Sequence, residues 1–266
     1  MTDTEIPQYY LDELKYKIEE MVPASSRPQV VKVIDRFTPR MTTVKGINLE
    51  LPSFIEALQS VVPATGDVPI PSVKDIERLR LDWADDGELM VLVVGARSDE
   101  HIAMISQVLS TGGIDIYEIP HVLISEIKSA RVYKDVPVGM KYDIVYVPMC
   151  LHHMKGGNVL IRKLTTLLNS GGVMVITDYD ANDVTPAQAA CLEVNHAIID
   201  NVLYKHVPYD EKIPMNIIST KMVKLTLDAI GKTNTKTPTG EVLVVVDESY
   251  LVTFDSSVTY YFRQNV

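Results

Sequence analysis

The sequence predicts an α/β fold, a mostly parallel sheet preceded by a helical segment. Apolar runs of strand length alternate with stretches at helical spacing from residue 89 onward. Glycine pairs, Gly112-Gly113 and Gly171-Gly172, punctuate that alternation. Before about residue 85, apolar residues at helical spacing are instead interrupted by prolines.

Taken in order, Tyr9 to Ile18 carries apolar positions at helical spacing and stops before Pro23. A second helix starts with Val30 to Ile34 after Pro28, and a third with Phe54 to Leu58 after Pro52. Pro63 to Pro71 reads as a turn-rich connection, and Val73 to Leu79 resumes helix. The first strand covers 89–95 and is followed by a helix at 99–110 that ends at Gly112-Gly113. Next come a strand Ile114 to Tyr117, a helix near 120–130, a short strand Arg131 to Tyr133 and a strand Tyr142 to Val147. Asn158 is read as the cap of a helix from Val159 to Leu168, closed by Asn169-Ser170-Gly171-Gly172. A buried strand Val173 to Thr177 follows, then a helix opened by Pro186 and running to about Tyr204. Ser219 caps one more helix, to Ile230. Two late strands, Glu241 to Asp247 and Val258 to Phe262, have no helix between them and predict an antiparallel edge hairpin. Strand–helix alternation predicts right-handed crossovers. The expected organisation is therefore a helical extension over 1–87 and an α/β domain over 88–266.

Composition excludes several function classes. The 266 residues are 46% hydrophobic and 23% charged, as in an ordinary soluble domain. A net charge of −10 repels polyphosphate, so nucleic-acid binding would need a local basic patch. Lys15, Lys17, Lys32, Arg36 and Arg40 are interleaved with acids and read as a solvated helical face. No apolar run reaches the roughly 18 residues that span a bilayer, so no membrane partner is expected. The acidic start lacks the features of a secretory signal, and Cys150 and Cys191 read as reduced core residues. Together these predict a cytoplasmic protein.

The segment Met90 to Asp99 is a buried strand, one glycine and a polar turn, running into the helical pattern from His101. Such a turn places backbone N–H groups at the crevice beyond a strand's carboxyl end. Only Gly95 stands where dinucleotide sites carry three glycines. Polar side chains at later strand ends, His152, His153, Asp178 and Asp180, are the candidates for a general base. Each has a structural alternative. The histidines suit backbone groups at a turn, and acids after a strand are common turn formers, so no metal is expected. His196, amid apolar neighbours, reads equally as a packed core histidine.

Residues 88 to 264 resemble the class I S-adenosylmethionine-dependent methyltransferases. The likeness rests on Val94-Gly95-Ala96-Arg97-Ser98, Gly113-Ile114-Asp115-Ile116, Tyr142 to Met154 with its Leu151-His152-His153, and Leu167 to Ile176. It implies a Rossmann-like methyltransferase sheet, mostly parallel, of seven strands with an antiparallel last strand, behind the N-terminal helical extension. It also implies S-adenosylmethionine as cofactor, with Val94, Gly95, Ala96, Arg97 and Met149 around it. In the family an acid ending the second strand accepts from the ribose, which implies Asp115, or Glu118 if the strand is two residues longer. Asp135 stands where the family places an acid near the adenine amine. Thr177-Asp178-Tyr179-Asp180 followed by Glu193 to Ile198 is loosely similar to virus-encoded cap-type methyltransferases, which implies RNA capping, with an RNA cap or another nucleotide as acceptor. The single glycine and the acidic charge leave a second reading, a methyltransferase-like domain without catalysis that serves as a binding or scaffold subunit for a protein partner. A nucleotide-dependent oxidoreductase is a third, disfavoured by the closing antiparallel pair.

Overall fold

A computed structural model describes residues 3–66, 70–77, 79, 88–119, 127–154, 156–179, 184–204, 206, 220–233, 241–246 and 257–263. The expected helix near 120–130 and the cap at Ser219 fall largely or wholly outside these residues, as does Asp180. The chain divides into two compact units.

The α/β unit, 70–182 with 213–250 and 256–266, is built on a seven-stranded sheet. Its strands are β1 (Leu89–Val94), β2 (Thr111–Tyr117), β3 (Arg131–Tyr133), β4 (Tyr142–Pro148), β5 (Leu168–Tyr179), β6 (Glu241–Val246) and β7 (Ser257–Arg263). The spatial order is β3-β2-β1-β4-β5-β7-β6, parallel throughout except for β7, which runs against both β5 and β6. This is a Rossmann-like, mostly parallel sheet with one reversed strand, as the sequence predicts. The closing strands form the expected antiparallel pair at the edge of the sheet. β7 is inserted beside β5, with Tyr261 buried in the core on one face of the sheet and Phe262 in the core on the other, and β6 forms the edge.

Successive residues of β1 serve opposite faces, as a doubly covered strand requires. Leu92 and Val94 join one core with Tyr142, Val145 and Met174. That core also takes Leu160, Ile161 and Leu164 of α6 (Gly157–Thr165), and Val223 and Leu227 of the helix at Thr220–Thr233. Val91 and Val93 join the other core with Ile102 and Ile105 of α5 (Asp99–Val108). Ile76, in the short helix α4 (Lys74–Glu77), packs into this second core. Gly112 and Gly113 do not end a helix but lie inside β2. The β1–β2 register jumps from Leu89–Thr111 to Met90–Gly113, passing over Gly112, and a Cβ at Gly112 would come within 2.6 Å of the Glu88 Cβ. Two glycines thus permit a bulge with close backbone approach. Likewise α6 begins at Gly157 behind a left-handed Gly156, rather than at a cap on Asn158.

The helical unit comprises 1–69, 183–212 and 251–255. It holds α1 (Gln8–Met21), α2 (Arg27–Phe37), α3 (Val44–Gln59), α7 (Pro186–Ile198) and a π-helical continuation Ile199–Tyr204. The boundary expected at residue 87 is thus crossed in both directions, since Ile76 finds its core on the sheet while α7 packs on α1 and α3. Thr185 and Gln188 cap α7 reciprocally, with Pro186 in the first turn. α3 starts well before Pro52, because the Thr43 hydroxyl accepts from the Gly46 N–H and nucleates the turn. Pro52 then sits inside the helix on its exposed side. The basic residues are tied locally: Lys15 pairs with Asp35 at 2.7 Å, Arg40 with Glu50 at 2.8 Å, and Lys17 is buried. Among the described residues no helix is long and apolar enough to cross a membrane.

Candidate active site at the strand carboxyl ends

β1 delivers the chain to Gly95, whose φ of +71° is left-handed and whose N–H donates to the Tyr117 carbonyl at 2.8 Å. A side chain here would meet Cys150 Cβ and Sγ at 3.0 Å, so the turn tolerates glycine alone. Cys150, fully buried, donates its thiol to the Val94 carbonyl at 3.2 Å, and burial pushes its pKa up. It is a structural cysteine. Cys191 is also free and buried, as expected of both.

Ala96 is buried, and Arg97 follows with its guanidinium Nη2 donating to the Met149 carbonyl at 3.1 Å. The side chain therefore spans from the end of β1 to the end of β4. The Arg97 backbone N–H donates to His101 Nδ1 at 3.3 Å, and Ser98 caps the helix Asp99–Val108 by accepting from the His101 N–H. Burial, helped by the Arg97 charge, lowers the His101 pKa to about 4. The sequence reading missed His101. Its signal was its place in the first helical turn behind the Gly95 loop.

The two acids considered for the second strand take different places. Asp115, buried within β2, accepts from the Tyr142 hydroxyl at 2.8 Å, and burial together with that carboxylate raises the Tyr142 pKa. Glu118 follows directly after β2, half-buried, its N–H bonded to the Tyr133 carbonyl at 2.8 Å. Asp135 is exposed beyond β3. Tyr117 has its pKa raised first by burial and then by the Asp135 charge.

Past β4, Met149 adopts a φ of +44°, rare for a residue with a side chain, with its N–H on the Thr177 carbonyl at 2.7 Å. Leu151–His153 forms a 3-10 turn. There the His152 backbone N–H donates to Asp178 Oδ2 at 3.0 Å, while His152 Nδ1 lies 2.7 Å from Asp178 Oδ1. The Tyr179 N–H also donates to Oδ1, at 2.7 Å. A carboxylate only accepts, so Nδ1 is the donor in this contact. The His152 ring stacks obliquely on His153, with centroids 4.1 Å apart, and meets Tyr179 edge-on at 4.9 Å. The parallel register of β4 and β5, which pairs Pro148 with Thr177, brings these residues together.

No protein-family model matches this sequence, and no curated protein matches it. Solved structures do resemble it. One is the plantazolicin methyltransferase BpumL in complex with a monoazolic desmethylPZN analog and SAH. It is 12% identical with a TM-score of 0.49, covering 97% of this chain and 99% of that one. Another is an O-methyltransferase family protein from Burkholderia thailandensis, 12% identical with a TM-score of 0.44 over 80% of this chain and 60% of that one. The CurJ carbon methyltransferase is 12% identical, with a TM-score of 0.42 over 84% of this chain and 55% of that one. The strand order, not these distant likenesses, defines the fold.

Proposed function

We propose that the chain is an S-adenosylmethionine-dependent methyltransferase whose acceptor yields a proton to His152. The observation that carries this reading is the strand order with its single reversed strand. It sets Gly95, Glu118 and the Met149–His153 turn after the carboxyl ends of three adjacent parallel strands, where such folds bind nucleotides. The residues present fit an adenosyl cofactor. The left-handed Gly95 turn gives close backbone approach, flanked by Val94 and Ala96. Glu118 is the proposed partner of the ribose hydroxyls, because Asp115 is already taken by Tyr142. Asp135 would face the adenine amine.

When bound, the cofactor supplies a methyl group already activated on a sulfonium centre. The protein's own task is then to orient the acceptor and remove its proton. Asp178 fixes the His152 tautomer and orientation through three hydrogen bonds, two of them from backbone N–H groups. His152 Nε2 is thereby prepared to accept a proton from a hydroxyl or similar acceptor. A net charge of −10, and cations paired with Asp35 and Glu50, favour an acceptor without a polyphosphate over a capped RNA.

Calorimetric titration with S-adenosylhomocysteine tests the reading, with micromolar binding as the expected result. No binding at millimolar ligand would overturn it and leave a non-catalytic binding module. Transfer of a labelled methyl group into a small-molecule extract, with His152→Ala as the blank, then identifies the acceptor.

A further inference from the structure

We propose that Asp75 is a positioning residue, which fixes the end of β5 from one face of the sheet while Asp178 holds His152 from the other. The inference rests on the reading of His152 as the base and adds a residue outside the strand ends. Side chains alternate along β5, with Val173 and Val175 in one core and Met174 and Ile176 in the other. Thr177 therefore continues the first face and Asp178 the second. The segment around α4 runs over that first face, with Val73, Ile76 and Leu79 buried in its core.

Three strands fasten this segment through hydroxyl groups. From β4, the Tyr146 hydroxyl donates to the Ser72 carbonyl at 2.9 Å, and from β7 the Tyr261 hydroxyl donates to the Asp75 carbonyl at 2.7 Å. From β5, the Thr177 hydroxyl donates to Asp75 Oδ2 at 2.7 Å. A hydroxyl has one proton, so in the 3.2 Å contact between Thr177 and Thr259 the Thr259 hydroxyl is the donor. The relay Thr259–Thr177–Asp75 thus ends on a carboxylate, the stronger kind of acceptor. Thr177 also faces the turn that carries His152, because its carbonyl accepts the Met149 N–H at 2.7 Å where the chain leaves β4. One residue therefore joins Asp75 through its side chain to the Met149–His153 turn through its main chain, and Asp178 is the next residue along. Removing the Asp75 carboxylate leaves the buried Thr177 hydroxyl without its acceptor and frees the strand end to shift. A displacement of about 1 Å in such a support can lower a rate by up to about 10²-fold.

The test is a double-mutant cycle in single-turnover methyl transfer, with S-adenosylhomocysteine affinity measured alongside. Asp75→Ala should slow transfer about tenfold while cofactor affinity stays within about twofold of wild type. Asp75→Asn retains an acceptor oxygen for Thr177 and should stay within about threefold of the wild-type rate. On a His152→Ala background, Asp75→Ala should cause no further loss, because it acts through the imidazole. Losses that multiply in the double variant, or an Asp75→Ala rate within about twofold of wild type, overturn the assignment and leave the methyltransferase reading standing. Should wild type bind no S-adenosylhomocysteine, that reading falls, and proton NMR of the His152 ring still decides the inference. A downfield Nδ1–H resonance present in wild type and Asp75→Asn but lost in Asp75→Ala supports it. A resonance absent from wild type, or unchanged in Asp75→Ala, overturns it. Thr177→Val, which removes the same hydrogen bond at nearly constant shape, carries every comparison if Asp75→Ala fails to fold.

Discussion

Each unit of this protein contains a buried histidine–aspartate pair, and the two are built from opposite kinds of sequence separation. In the helical unit His196 and Asp200 lie one helical turn apart, with Nδ1 2.9 Å from Oδ2, at the junction where α7 passes into the π-helical segment Ile199–Tyr204. In the α/β unit His152 and Asp178 are 26 residues apart and meet only because β4 and β5 are parallel neighbours. The long-range pair is better organised. Its carboxylate also accepts from the backbone of His152 and of Tyr179, so the strands themselves aim the imidazole. A local pair follows from helical period, whereas an imidazole oriented through its carboxylate partner needs several elements converging on that carboxylate.

The contrast can be broken most directly by activity. His152→Ala should lower methyl transfer by about 10²–10⁴-fold, and His196→Ala by less than about tenfold, in single-turnover assays. Equal losses would erase the distinction. Stability should separate the pairs next. Asp178→Ala strands two backbone donors and an imidazole N–H, and should cost about 4 kcal/mol in urea denaturation.

A third buried histidine sharpens the point. His101 bonds a backbone N–H rather than a carboxylate, and its folded pKa of about 4 lies below the ordinary 6.5. As pH falls, the unfolded chain takes up this proton first. Stability from His101 is therefore complete above pH 6.5 and is lost toward pH 4, by up to about 3 kcal/mol. Denaturation across that range should show the slope, and His101→Gln should flatten it. The smallest effect is expected at the local pair, where Asp200→Ala should cost about 1–2 kcal/mol in the same assay.

Much of the α/β unit was legible from the chain. Val91 to Val94 could only be a strand covered on both faces, and the left-handed turn at Gly95 follows from the glycine itself. The Leu151-His152-His153 segment was singled out by its residues, and the structure adds the partner that gives one histidine an orientation. Less was visible where two readings share one local pattern. Asp115 and Glu118 both sit near the end of the second strand, and only the register of β2 against β1 and the reach of Tyr142 separate them. Pro52 looked like a helix start, but capping by Thr43 extends α3 through it.

The sequence alone determined the alternation of strands and helices and the single-glycine turn, because each depends on residues within a few positions of one another. Only the tertiary structure decided that β7 inserts between β5 and β6, that α7 folds with the N-terminal helices, and that Asp178 holds His152. Those outcomes depend on which distant surfaces bury one another, and local periodicity carries no record of that choice.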